Sequence, residues 1–318
     1  MSELVNAERL VKRWATHGVW QLVGNGEVTN NYCDTYAGFR GCLRVELHDH
    51  MQLDGVNMKG RVFVKKFHNF CDKPSCPKCY AKGWAVRQAN SIEDRLAEAR
   101  KRGFGIAEHL TISVPSEDYA LEYEVLRKKA KKILFSCGVV GGVLVWHAFR
   151  YNRIKRWYFS PHFHVLGFIN GGYNRCRHCK GGDCYACDGF EGAVYRLYRE
   201  NRWIVEVMSK WEERKSIGAT AWYQLEHSSI DVTKKRFHVA TWFGVVSYRK
   251  LKLTIEKRKA LCPLCRHELV PLLYFGKKNF VVDRHSPDYE RESFEDYEED
   301  SVPVWFEDTR DRWCKGLL

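Results

Sequence analysis

The sequence lacks any long apolar run. Its longest nearly apolar stretch, residues 137–146, is ten residues long and contains three glycines, whereas a helix needs about 18 apolar residues to cross a bilayer. The first fourteen residues mix charged with apolar side chains and offer no continuous apolar core of the kind that a signal peptide needs. These absences argue against a membrane partner and against export, and they predict a cytoplasmic protein.

Two further signatures are missing. No Gly-x4-Gly-Lys-Ser/Thr loop occurs, which argues against an attached P-loop helicase or ATPase, and no internal repeat is visible. Hydrophobic residues make up 45% of the chain and charged residues 29%. These fractions are close to the globular average, so a largely disordered or collagen-like chain is excluded.

The chain carries no net negative charge outside its last segment. It carries a net charge of +13, and residues 283–318 contain twelve acids and five bases, a net −7, so residues 1–282 carry +20. A basic body in a chain with 14% aromatic residues suits a polyanion whose bases stack on rings and whose phosphates meet Lys and Arg. We therefore expect nucleic acid as the partner, with a merely soluble basic protein as the alternative.

The thirteen cysteines predict metal sites rather than disulfides, because a cytosol keeps thiols reduced. The segment CRHCKGGDCYAC offers four thiolates within twelve residues, with a Gly-Gly turn between two Cys-x2-Cys knuckles. That spacing is typical of a closed tetrahedral zinc site. The predicted ligands are Cys176, Cys179, Cys184 and Cys187.

A second zinc site is predicted from the segment CDKPSCPKCY. It contributes three ligands, Cys71, Cys76 and Cys79. The fourth ligand must come from elsewhere in the chain, from Cys42, Cys33 or His68, and Cys42 is taken as that ligand.

The pair Cys262-Pro-Leu-Cys265 forms a further knuckle. It is either a zinc half-site, completed by Cys33 and Cys42, or a pair of buried thiols.

Hydrophobic periodicity and turn signals predict the order of elements. Residues 1–70 form an N-terminal helix and strands, residues 71–282 a central domain with zinc-binding insertions, and residues 283–318 an acidic, flexible tail. Within the central domain we expect a helix at 81–102, a strand at 105–115, a helix at 117–138, a β-hairpin at 141–152 and 156–169, and helices at about 193–215 and 216–229.

Three short segments carry residues suited to chemistry. In SPHFHV, His162 and His164 are two apart on a predicted strand, so both imidazoles leave one face and could clamp a metal. A plain pair of core or surface histidines is the alternative. In AWYQLEH, Tyr223 and His227 lie one turn apart on a predicted helix. In HLTIS, His109 lies on a strand whose other residues are mostly apolar.

Taken in order, HLTIS, SPHFHV and WYQLEH resemble motifs one, two and three of the HUH endonucleases. With the cysteine knuckle before motif one and the cysteine insert after motif two, the chain resembles the rolling-circle replication initiators (Rep) of archaeal plasmids and viruses. The resemblance covers roughly residues 70–270. It implies an α+β fold of HUH or RNA-recognition type, with zinc-knuckle insertions and an antiparallel central sheet flanked by helices.

The resemblance also implies a mechanism. A catalytic Mn²⁺ or Mg²⁺ would be bound by His162, His164 and His227, apart from the structural Zn²⁺, and Tyr223 would attack single-stranded origin DNA. The products would be a 5′-phosphotyrosine and a free 3′-hydroxyl, and host helicase and polymerase would be partners. The chain departs from the common Tyr-x-x-Lys pattern, because Gln224, Leu225 and Glu226 precede His227.

Three alternatives stay open. A single-tyrosine transposase would use the same chemistry. A non-catalytic zinc protein that regulates genes by binding DNA would use the cysteine knuckles and the basic charge without the tyrosine. Tyr248, in FGVVSYRKLK, is an alternative nucleophile.

Overall fold

The computed structural model describes residues 15–28, 30–53, 55–59, 62–152, 154, 156–169, 194–198, 202–208, 216–253, 259–274 and 305–307. The predicted N-terminal helix and the predicted zinc ligands Cys176, Cys179, Cys184 and Cys187 lie outside these residues. The chain divides into two compact units. The first unit comprises residues 1–31 and 71–254, and the second comprises residues 32–70 and 255–318.

The described strands are, in chain order, β1 (Thr16–His17), β2 (Trp20–Leu22), β3 (Tyr36–Cys42), β4 (Gln52–Leu53), β5 (Val56–Asn57), β6 (Phe63–His68), β7 (Glu108–Ser113), β8 (Val139–Tyr151), β9 (Trp157–Ile169), β10 (Val194–Tyr198), β11 (Ile204–Met208), β12 (Ser229–Asp231), β13 (Ala240–Gly244), β14 (Val270–Tyr274) and β15 (Trp305–Glu307). The helices are α1 (Val86–Ala99), α2 (Tyr123–Ser136) and α3 (Ile217–Glu226). Wider π-helical turns at Tyr80–Ala85 and Arg100–Phe104 flank α1.

A six-stranded antiparallel sheet forms the centre of the first unit. Its strand order is β10-β11-β7-β9-β8-β13, and the predicted β8–β9 hairpin supplies its two longest strands. A smaller antiparallel sheet, β1-β2-β12, belongs to the same unit. The predicted mixed α+β architecture with antiparallel sheets is confirmed.

Helices pack on both faces of the central sheet, because side chains alternate between the faces along each strand. On one face α2 buries its apolar stripe against residues such as Leu144, Trp146 and Phe163. On the other face α1 and α3 pack against Val143 and Leu166 and their neighbours. That second face is also the face of the histidines discussed below.

The helix predicted at about 193–215 is wrong. The structure has two strands there, β10 and β11. Along β11, Val205 and Val207 are buried, while Ile204, Glu206 and Met208 are half-buried. This period of two suits a strand. β11 pairs with β7 at the sheet, so long-range pairing decided the conformation of a segment whose local pattern was ambiguous.

The second unit contains a four-stranded antiparallel sheet with the order β15-β14-β3-β6, and the short pair β4-β5. β15 comes from the segment predicted to be an acidic tail. The apolar core of this sheet is small, with Phe39 and Leu272 buried at its centre. Within the described part of the chain, no helix is long and apolar enough to span a membrane.

Candidate active site

Three imidazoles converge on the α1/α3 face of the central sheet. Ring nitrogens of His147, His162 and His164 all lie within 4.8 Å of one another, and the ring centroids are 4.5–5.1 Å apart. His147 and His162 are each only 4% exposed. Such a convergence of metal-ligating side chains fits one divalent cation.

A β-bulge brings His147 to this face. On β8, Phe149 lies opposite Phe159. His147, two residues earlier in the chain, would lie opposite Pro161 in a regular ladder, but it lies opposite His162. β9 therefore carries one extra residue at this point, and Pro161 lies in the bulge, where its missing N–H costs the strand ladder least. A regular register would turn His147 to the opposite face from His162.

Hydrogen bonds orient two of the three rings, those of His162 and His164. His162 donates through Nδ1 to the Ser160 carbonyl at 2.8 Å, which directs the lone pair of Nε2 towards the cluster. Nδ1 of His164 lies 2.9 Å from Nε2 of His109, so metal binding through the other nitrogen of His164 would make His109 the acceptor. Nε2 of His147 is buried without a hydrogen-bond partner. A buried ring nitrogen without a hydrogen-bond partner, next to two oriented imidazoles, is available to bind a metal.

Burial favours the neutral, ligating form of His147 and His162. Burial, followed by the neighbouring His162 and His227 rings, keeps the pKa of His147 well below its usual range. Burial, followed by His164 and Arg150, does the same to the pKa of His162. Neutral imidazoles coordinate metals, and protonated ones do not.

Helix α3 lies beside the cluster. The backbone of Gln224 and the ring of His227 both influence the pKa of His147, and Tyr223, the residue before Gln224, is 44% exposed. The Tyr223 ring lies 4.7 Å from the ring of His227, centroid to centroid. The candidate nucleophile therefore lies on the helix that is beside the candidate metal ligands.

The structure brings together two of the three predicted catalytic ligands, His162 and His164, and adds His147. His227 is not among the three imidazoles that converge within 4.8 Å. It lies at the end of α3, where its Nδ1 donates to the Tyr223 carbonyl at 2.9 Å, and the Trp157 ring lies 5.9 Å from its own. His227 as a ligand stays a prediction.

A positive charge also lies near the cluster. The Arg150 guanidinium donates to Ser113 Oγ at 2.7 Å, and its charge contributes to lowering the pKa of both His147 and His162. An arginine so placed suits a phosphate bound at the cluster. Sequence reasoning had not singled it out.

Tyr248, the alternative nucleophile, is 63% exposed and lies in the segment after β13. The Arg95 guanidinium lies 4.5 Å from the centre of its ring. Arg95 is itself buried and donates to the carbonyls of Val246 and Leu251. These contacts give Tyr248 a structural role in holding its own segment.

In the first unit, three of the predicted zinc ligands converge. The thiols of Cys71, Cys76 and Cys79 lie within 4.8 Å of one another, with Cys71 Sγ and Cys79 Sγ at 3.2 Å. Cys76 and Cys79 are fully buried, and burial raises the pKa of Cys79.

In the second unit, Cys42 clusters with both knuckle cysteines and a histidine. Cys42, His48, Cys262 and Cys265 all lie within 4.8 Å of one another. The Cys42 and Cys265 sulfurs are 3.5 Å apart, as are Cys262 Sγ and His48 Nε2. This corrects the assignment of Cys42 as fourth ligand to the Cys71 site and places Cys42 at the Cys262–Cys265 knuckle. It also adds His48, which sequence reasoning had not singled out.

Comparisons of the chain with protein-family models, with curated proteins and with solved structures find no match. The geometry of the site and the motifs of the sequence are therefore the basis for assigning a function.

Proposed function

We propose that the protein is a metal-dependent DNA nicking and rejoining enzyme of HUH type, acting as an initiator of rolling-circle replication. The observation that carries the proposal is the convergence of His147, His162 and His164 beside the helix that bears Tyr223. The excess of positive charge on residues 1–282 suits the DNA substrate.

In this proposal, His147, His162 and His164 would hold one divalent cation. Such a cation would polarise the scissile phosphate and offset charge that develops in the transition state. Imidazole ligands favour Mn²⁺ over Mg²⁺, although either ion could occupy a site that keeps water ligands. His109 acts through His164, whose ring it orients, and Arg150 contributes positive charge at the phosphate.

Tyr223 supplies the nucleophile. Its phenolic oxygen attacks the phosphorus and loses its proton, a new P–O bond forms to the tyrosine, and the bond from phosphorus to the 3′ oxygen of the preceding nucleotide breaks. The leaving oxygen becomes a 3′-hydroxyl that can prime synthesis, and a 5′-phosphotyrosine remains on the protein. Attack by a 3′-hydroxyl reverses the step, so rejoining needs no ATP.

The direct test is the covalent adduct. The full chain is incubated with labelled single-stranded oligonucleotides and Mn²⁺, then denatured and separated by electrophoresis. We expect a protein-linked label that requires Mn²⁺ and is lost with EDTA, because the imidazole site is open and weak compared with thiolate sites. DNA binding without any adduct would contradict the proposal and favour a regulatory zinc protein.

The cysteine clusters support structural zinc. Sulfurs at the ~2.3 Å Zn–S distance of a tetrahedral site lie about 3.8 Å apart, close to the 3.5 Å between Cys42 and Cys265 and the 3.2 Å between Cys71 and Cys79. In the second unit Cys42 and Cys262 are buried together with Leu269, so a zinc ion bound there would contribute directly to the folding of this unit.

Zinc content provides a prediction. Elemental analysis of the purified chain is expected to give at least two zinc ions per chain, one for each described cysteine cluster. Cys262→Ala should lose about one of them, because it removes one of the four side chains, Cys42, His48, Cys262 and Cys265, that converge in the second unit. The control Cys137→Ala, at a cysteine outside both clusters, should lose none. Fewer than one zinc ion in the unmodified chain would contradict the assignment.

A further inference from the structure

A row of aromatic rings leads from the candidate nucleophile to the end of the β8–β9 hairpin. The centroids of Tyr223 and His227 are 4.7 Å apart, those of His227 and Trp157 are 5.9 Å apart, and those of Trp157 and Tyr151 are 5.0 Å apart. We call these four residues the ring row. Tyr223 and Tyr151, at its two ends, are 44% and 38% exposed. The ring row is therefore a continuous aromatic surface that solvent reaches at both ends.

The hairpin that supplies two of the rings carries charged residues of only one sign. Residues 139–169, which form the hairpin, contain four basic residues, Arg150, Arg153, Lys155 and Arg156, and no acidic residue. Arg156 is exposed at the start of β9. Phosphates would therefore find cations along the same hairpin that supplies two of the rings.

We propose that the ring row binds the bases of single-stranded DNA next to the scissile phosphate. This inference rests on the proposed attack by Tyr223, since a strand whose phosphate reaches Tyr223 must pass the neighbouring rings of His227 and Trp157. Stacking of bases on aromatic rings, combined with basic side chains along the backbone, is the usual way in which proteins hold unpaired strands. A paired duplex keeps its base faces covered, so the ring row selects single strands.

Trp157 and its neighbour Tyr158 provide a matched pair of variants. Trp157 lies in the middle of the ring row, whereas Tyr158 is the next residue on the same strand, points to the opposite side and is 47% exposed. Both substitutions remove an aromatic ring from the same hairpin. Only the loss of Trp157 should matter for base stacking.

The test measures binding without cleavage. Fluorescence anisotropy in EDTA compares the affinity of the full chain for an oligo-dT strand with its affinity for an abasic deoxyribose-phosphate strand of the same length. Both strands carry the same charge, but only oligo-dT has bases. Trp157→Ala is expected to weaken oligo-dT binding by about 5- to 150-fold, the effect of losing one base–aromatic stack, and to leave abasic-strand binding unchanged. Tyr158→Ala should change neither.

Two further variants guard against a folding defect, because Trp157 also packs against the core. Trp157→Phe should retain most of the affinity for oligo-dT, and Tyr151→Ala, at the exposed end, should lose part of it. Equal loss of binding to both strands in Trp157→Ala, or no loss to either, would overturn the inference. If no covalent adduct forms but the preference for oligo-dT depends on Trp157, the result contradicts the proposed nicking function and supports base binding by the ring row.

Discussion

His147→Ala is expected to lower Mn²⁺-dependent nicking by about 100-fold or more. The substitution removes one of three imidazoles that converge within 4.8 Å, and a bound cation contributes several kcal/mol to stabilising the transition state of phosphate chemistry. Single-turnover cleavage of a labelled strand measures the loss. Calorimetric titration with Mn²⁺ should show weaker binding at the same time, which identifies the cause as the metal site.

His227→Ala separates this site from the one that the sequence predicts. If His147 is the third ligand, His227→Ala binds Mn²⁺ as the unmodified chain does, and its defect is confined to DNA affinity through the ring row. His147→Gln, which keeps most of the buried volume, guards against a cavity effect in His147→Ala. If His147→Ala bound Mn²⁺ normally and His227→Ala did not, the ligands would be His162, His164 and His227, as the motifs predict.

Tyr223→Phe is expected to abolish both nicking and the covalent adduct, a loss of about 10⁴-fold or more, as is typical when a nucleophile is removed. Only the hydroxyl is lost, and the phenyl ring can still occupy its place beside His227. DNA binding should therefore stay within about 2-fold of the unmodified chain, because stacking depends on the ring.

Tyr248→Phe is the matched control for that experiment. Tyr248 is exposed and contacts Arg95, so the variant should nick DNA normally. An adduct that persists in Tyr223→Phe and disappears in Tyr248→Phe would transfer the nucleophile to Tyr248. Mapping the labelled peptide by mass spectrometry distinguishes the two tyrosines directly.

The sequence predicted the parts of the site that depend on local pattern. The alternation of SPHFHV placed His162 and His164 on one face of a strand, and the hairpin that carries them formed as expected. His147 was missed because a hairpin folded evenly about Ile154 puts Trp146 opposite His162. The extra residue at Pro161 shifts this register by one, and such a bulge depends on pairing between strands as well as on local sequence.

The second cysteine cluster shows the same limit over a longer distance. Cys42 and Cys265 are 223 residues apart in the chain, and their proximity follows from the pairing of β3 with β14. Spacing rules identify the knuckle at Cys262 and Cys265, but they leave Cys42 open between this site and the Cys71 site. His48 belongs to a His-x-His segment, LHDH, that sequence reasoning did not connect to the knuckle, and the folded chain shows its ring beside these thiols.

The pairing of β3 with β14 has a consequence for the order of events during translation. Residues 71–254, most of the first unit, are inserted between the two segments that make the second unit. The ribosome releases Cys71, Cys76 and Cys79 well before it reaches Cys262, and domains generally fold as they emerge. The first unit can therefore fold, and its cysteine cluster can assemble, before Cys42 and His48 meet Cys262 and Cys265, so the second unit is expected to fold last.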